Sequence, residues 1–261
     1  MAASVLVVGG TGRLGRLVVA RLREGGLEVR VLARHRPAGA GGRELMIGDL
    51  ATGEGLGPAL AGITTIVNCA GSAKGDEQQA RNLVRAAVRA GAPHLVNISV
   101  VGADRVPIVS RVDRAMFGYF GAKLAAERVV ADSGLPWTTL RATQFYDAFL
   151  LVARQMARLP VVPLLGGARF QPVDTAEVAG RVVELALGPA AGLAPEMAGP
   201  RVYGMDQLLR AYLHSRRLRR RLVRVPVPGR AAGAVRDGAI LAPEGTLGRR
   251  TWEEFLADRP G

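Results

Sequence analysis

The chain has 261 residues, 49% hydrophobic and 22% charged, which is ample apolar material for a packed core and unlike a disordered composition. No apolar run approaches the roughly 20 residues that cross a bilayer, and a single cysteine, Cys69, excludes an internal disulfide and a cysteine-based metal cluster. The formal charge is +13, but only Lys74 and Lys123 are lysines, so the excess is carried by arginine and reads in part as compositional bias.

The opening stretch, 2–8, runs straight into a glycine turn without a basic leader or cleavage site, which predicts no signal peptide and a cytoplasmic protein. Short apolar runs then alternate with helical patterns. Strands are expected over 5–8, 29–32, 44–47, 66–68, 95–98 and 138–141, and helices over 14–24, 76–90 and 115–132. Near-continuous β-branched and leucine runs suit parallel strands covered on both faces. Ser133-Gly134-Leu135-Pro136 stops the third helix. A helix over 145–156, a proline-rich segment over 159–165 and a short strand over 170–173 follow. Asp174-Thr175-Ala176-Glu177 has capping-box spacing and starts a helix that stops at Gly188-Pro189. A basic helix over 205–222 and a final helix over 251–256 complete the pattern. The fold class expected is α/β, a Rossmann-type doubly wound parallel sheet over 1–142 with a smaller C-terminal substrate lobe over 143–261, of which 170–188 returns to the core sheet.

The most informative segment is Gly9-Gly10-Thr11-Gly12-Arg13-Leu14-Gly15, a turn between a hydrophobic strand and a helix. Glycines let the backbone turn sharply and let a pyrophosphate approach, and the emerging helix offers free N–H groups and the positive end of its dipole. An NAD site would place an acid at the end of the second strand; here the chain reads Ala33-Arg34-His35-Arg36. Arg34 can clamp a ribose 2′-phosphate in bidentate fashion, with Arg36 and Arg13 nearby, so NADP(H) is the cofactor expected. The plainer alternative is that Arg34 and Arg36 are solvated loop residues. The three histidines, His35, His94 and His214, have no ligand spacing, and no metal is expected.

Tyr119 and Lys123 stand four residues apart on a predicted helix and so share one face. A nearby ammonium favours tyrosinate, lowers the tyrosine pKa and suits the pair to general acid/base work on a carbonyl or alcohol. The alternative is a chance pair on an exposed helix.

With these motifs the chain resembles the atypical, NmrA-like short-chain dehydrogenases/reductases over nearly its whole length. The matching segments are the glycine turn, Gly48-Asp49-Leu50, Asn68-Cys69-Ala70-Gly71, Asn97-Ile98-Ser99, Tyr119 to Lys123, 140–145, 170–174 and the closing Thr251-Trp252-Glu253-Glu254-Phe255-Leu256. The resemblance implies that Asp49 and Leu50 hold the adenine, that Cys69, Ala70 and Gly71 line the cofactor's path, and that Lys123 binds the nicotinamide ribose. Ser99 would polarise the substrate oxygen, though Ser110 competes for that role and either hydroxyl can serve the backbone instead. Gln144, Phe145 and Tyr146 follow the sixth strand, at the edge where ligands of open sheets bind, and are the substrate candidates. Cys69 is expected to be a packed thiol and Asp174 a helix cap.

The function expected is NADPH-dependent reduction of a carbonyl or quinone-like small molecule. The alternatives are a non-catalytic NADP(H) sensor, which the Tyr119–Lys123 pair disfavours, and an isomerase, epimerase or lyase on the same scaffold. The arginines between 216 and 224 give the only hint of nucleic acid, and they lack interleaved aromatics, so that partner is disfavoured, as is a membrane. The helix over 115–132 could pair with a copy of itself in a homodimer, but its pattern does not demand it.

Overall fold

The computed structural model describes residues 4–36, 44–71 and 75–259; Ala2, at the head of the opening stretch, and Lys74 lie outside them. The first part of the chain forms β1 (Ser4–Val8), α1 (Arg13–Glu24), β2 (Glu28–Ala33), β3 (Leu45–Ile47), α2 (Leu56–Leu60), β4 (Thr65–Asn68), α3 (Asp76–Arg89), β5 (His94–Val100), α4 (Arg111–Ala131) and β6 (Trp137–Ala142). The remainder forms α5 (Tyr146–Met156), β7 (Val161–Leu165), β8 (Arg169–Phe170), α6 (Thr175–Leu187), β9 (Gly192–Leu193), β10 (Met197–Ala198), β11 (Tyr203–Gly204), α7 (Met205–Ser215), β12 (Arg221–Val225), α8 (Arg230–Arg236), β13 (Thr246–Leu247) and α9 (Trp252–Ala257).

These elements group into two units, neither of them a continuous stretch. The first is Met1–Ser99, Ala122–Leu140 and Val178–Ala194; the second is Val100–Gly121, Arg141–Glu177 and Pro195–Gly261. In the first unit the strands run in the order β3-β2-β1-β4-β5-β6, with β9 beside β6. The pairings of β1 with β2 and β4, β2 with β3, β4 with β5 and β6 with β9 are parallel. This is the Rossmann arrangement, and the strand order reverses between β1 and β4, where ligands of open sheets bind. Every residue of β1 and β4 is buried, which is why these segments read as unbroken apolar runs. Leu6, Leu32, Ile66, Leu83 and Leu95 form the heart of one core with α2 and α3.

The second unit packs Tyr146, Phe149, Leu208, Trp252 and Phe255 into a separate aromatic core. The indole Nε1 of Trp252 donates to the Leu208 carbonyl at 3.0 Å, so the ring is buried without an orphaned donor. Thr251 caps α9 in a reciprocal box, accepting from Glu254 N at 3.3 Å while Glu254 Oε2 accepts from Thr251 N at 2.8 Å.

Several elements differ from the expectation. The proline-rich segment contains a strand, β7, which pairs in parallel with β12; Pro163 is exposed there, as a proline in a two-stranded edge must be. The basic helix stops at Ser215, because Arg217 takes a left-handed φ of 53°. Leu218 N then donates to Leu213 O at 2.8 Å and Arg217 N to His214 O at 3.0 Å, a Schellman ending with arginine where glycine is usual. Asp174 does cap, its Oδ1 accepting from Ala176 N at 2.7 Å, but Glu177 does not close a box. Its Oε1 instead accepts from Arg249 N at 2.7 Å. Among the described residues no helix is long and apolar enough to cross a membrane.

Candidate active site

The turn after β1 is built from glycines because nothing else fits. Gly9 has a φ of 74°, and a Cβ there would lie 2.8 Å from Ala70 N; a Cβ on Gly15 would lie 2.2 Å from the Gly9 carbonyl oxygen. Gly12 N donates to that same carbonyl at 2.9 Å, and Gly12 then caps α1 in an extended conformation. The first turn of α1 carries no acid, so the positive potential of the helix start is left for an anion. Thr11, Gly12 and Arg13 are exposed, whereas Leu14 and Gly15 are buried behind the turn.

In front of the turn lies a cavity of about 370 Å³ at the carboxyl ends of the parallel strands. The exit of β1 supplies Val8, Gly9, Thr11 and Gly12 to its wall. The exit of β2 supplies Leu32, Ala33 and Arg34; the exit of β3, Gly48 to Ala51; and the exit of β4, Cys69 to Gly71. Gln79 of α3 completes it. No acid stands at the end of β2; Arg34 does, and Arg36 is exposed two residues further on, outside the lining.

Two amides hold these walls in place: Asn82, which no motif marks, and Asn68 at the end of β4. Asn82 reaches from α3 to donate to Leu50 O at 2.8 Å and Ala51 O at 3.0 Å. Asp49 Oδ1 accepts from Ala51 N at 2.8 Å, so the loop leaving β3 is tied at both ends. Asn68 donates to Asn97 Oδ1 at 3.0 Å and accepts from Ala70 N at 3.2 Å, fixing the path that leaves β4. The signal for Asn82 is a buried amide on the apolar side of an amphipathic helix, which only its partners explain. Cys69 is half-buried; burial pushes its thiol up to about 12, against the pull of the Lys123 ammonium.

Lys123 is buried in the first unit, with its Nζ 3.1 Å from Asp76 Oδ2 and 3.5 Å from the Ile98 carbonyl oxygen. A Cβ on Gly71 would lie 2.8 Å from that Nζ, so the lysine closes directly on the cavity wall. Ser99 is buried in β5, and its Oγ has no hydrogen-bond partner among the described residues. Ser110, the competing serine, is fully engaged at the start of α4. Its Oγ donates to Asp113 Oδ2 at 2.8 Å and accepts from Asp113 N at 3.0 Å.

Tyr119 lies one turn before Lys123 on α4 and belongs to the second unit. It is 40% exposed, its ring edge-on to Phe120 at 6.0 Å. In the same unit both amide atoms of Gln144 are buried without a hydrogen-bond partner among the described residues. Phe145 is half-buried and bridges Val173. Tyr146 is fully buried in the aromatic core, its hydroxyl donating to Arg250 O at 2.7 Å; desolvation, then the Tyr203 hydroxyl and nearby carboxylates, push that phenol far up.

Comparison with known proteins agrees with this geometry. Residues 9–163 match the NAD(P)H-binding family. The chain is 30% identical over 254 residues to the ceramide reductase of Caulobacter vibrioides, a match covering 89% of this chain and 77% of that protein. It is 27% identical over 190 residues to the photosystem II assembly factor Ycf39 of Trieres chinensis, covering 67% of this chain but spanning only 57% of that relative. Among solved structures, the NADPH complex of the quinone oxidoreductase QOR2 from Escherichia coli has a TM-score of 0.76 at 20% identity, covering 97% of this chain and 99% of that one. With the glycine turn, the cavity before it and this match over more than half its length, the chain belongs to the NAD(P)H-binding family.

Proposed function

We propose that the chain is an NADPH-dependent reductase of a carbonyl or quinone-like small molecule. The observation that carries this reading is one cavity that joins the glycine turn, Arg34 and the β4 exit, with buried Lys123 against its wall. The fit to a dinucleotide is steric as well as electrostatic: a Cβ at Gly9 or Gly15 would fill the turn, and the α1 start faces it without a competing acid. Gly9, Thr11, Gly12 and Gly15 would shape the pyrophosphate cradle, and Leu14 would anchor it from behind. Arg34 would take the 2′-phosphate, with Arg13 and Arg36 as further candidate clamps. Asp49 and Leu50 would hold the adenine, and Cys69, Ala70 and Gly71 would line the path to the nicotinamide.

The nicotinamide supplies the hydride when bound. The protein's own part is to position the substrate and move one proton. Ser99 Oγ, without a hydrogen-bond partner among the described residues, would polarise the substrate oxygen. Tyr119 Oη would donate the proton, while the Lys123 ammonium would bind the nicotinamide ribose and favour the tyrosinate left behind. Gln144 and Phe145 would border the substrate; Tyr146, fully buried in the aromatic core with its hydroxyl on Arg250 O, has no surface to offer one.

The test is an equilibrium titration of NADPH and NADH against wild type and Arg34→Ala. We expect NADPH affinity to fall at least about tenfold in the variant with NADH little changed, as loss of a charge-assisted contact implies. Equal affinities in both proteins would remove the NADPH assignment. In a carbonyl and quinone screen, Tyr119→Phe is expected to lower kcat at least about a hundredfold with NADPH affinity unchanged. Full activity in that variant would remove the tyrosine from the chemistry.

A further inference from the structure

Asp76 is a buried carboxylate that the mechanism above does not use. It is the first residue of α3, preceded by Gly75 with a φ of 83°, and it comes from a different helix than the lysine it meets. Its Oδ2 is 3.1 Å from Lys123 Nζ, with both side chains less than a tenth exposed. Burying an ammonium without a counter-charge is costly, and a buried pair keeps its geometry only when its remaining donors and acceptors are held too. Here the Ile98 carbonyl lies 3.5 Å from the same Nζ, and Gly71 leaves the room that a Cβ would take from it. Three separate pieces of chain thus converge on one nitrogen: the start of α3, the end of β5 and the exit of β4.

We infer that Asp76 is a positioning residue that sets Lys123 against the cavity wall where the nicotinamide ribose is to be met. This rests on the reading that Lys123 binds that ribose. A clamp that merely staples α3 to α4 would make the same contact, so the test must separate stability from aim. Adenosine 2′,5′-bisphosphate carries the adenine and 2′-phosphate but no nicotinamide half, so it samples the cavity without asking anything of Lys123.

The experiment measures the affinities of NADPH and of adenosine 2′,5′-bisphosphate by calorimetry for wild type, Asp76→Asn, Asp76→Glu and Lys123→Met, with the melting temperature of each cofactor-free protein. Asp76→Asn is expected to weaken NADPH at least about tenfold, the scale of a lost charged contact, while the bisphosphate stays within about twofold. Asp76→Glu keeps the charge but displaces it, and is expected to weaken NADPH measurably, though less than Asp76→Asn does, with the bisphosphate unchanged. If Asp76→Asn does not fold, Asp76→Glu decides alone: it displaces the carboxylate by one methylene, so NADPH must weaken measurably while the bisphosphate does not. Equal losses for both ligands, or none for either, would reduce Asp76 to a staple and overturn the inference. Failure of the underlying reading shows separately, as NADPH affinity that Lys123→Met leaves intact, and it overturns both.

Discussion

Cys69 sits at the exit of β4 with its thiol pushed up to about 12 by burial. Only the thiolate is nucleophilic, so Cys69 should alkylate with iodoacetamide at neutral pH at least about a hundredfold more slowly than a free cysteine, and at the ordinary rate in urea. A fast reaction in the native protein would mean that the β4 exit opens readily. Single residues also mark the limit of reading this site from sequence. The glycine turn and Arg34 are legible because their signals are local: a strand, a turn and a helix in fifteen residues, and the residue type at one strand end. Asn82 and Asp76 are not, because their meaning lies in partners 32 and 47 positions away, Leu50 and Lys123. Ser99 and Ser110 look alike in sequence and part company only when Asp113 is seen to occupy the second. The Asp113 carboxylate is in turn held below its usual range, first by the Ser110 hydroxyl and then by the Ala231 N–H.

At the scale of elements, the six strands of the Rossmann sheet and the helices α1, α3 and α4 could be read from periodicity, with ends displaced by a few residues at most. The misses have identifiable causes. α2 and α8 have five and seven residues, too few for a helical period to register. The basic run reads as helix in the sequence because arginine is a good helix former, whereas the chain reverses at Arg217 in a conformation that costs a non-glycine residue about 1–2 kcal/mol. Arg217→Gly should therefore stabilise the protein by about 0.5–1 kcal/mol after allowing for glycine's extra chain entropy. Urea denaturation measures this directly, and a destabilised variant would show that the arginine side chain holds the α7 terminus by some other contact.

At the scale of the whole molecule, stability should depend on a histidine far from any proposed chemistry. Burial lowers the His94 imidazole below its ordinary 6.5, and its Nε2 lies 2.9 Å from Thr138 Oγ1, which also accepts from Ala191 N at 2.9 Å. Because the folded form takes up its proton less readily than the unfolded chain, the contribution is fully present above pH 6.5. It is lost as pH falls from there through the lower folded-state value. Denaturation curves at pH 7.5 and 5.5 should show this loss in wild type and a smaller one in His94→Gln; equal losses would assign the acid sensitivity to the carboxylates.

The division into two units, each assembled from three separated segments, has a consequence for synthesis. A ribosome delivers the chain in order, so the first unit cannot be completed until residue 194 has been made, long after its opening strands. Tyr146 waits still longer for its partners, since the carbonyl its hydroxyl meets belongs to Arg250, 104 positions later. At about 5–20 residues per second that is a delay of about 5–20 seconds. Through it the aromatic face of α5 is without Trp252 and Phe255, and a nascent chain in that condition is a natural client for chaperones that shield exposed rings.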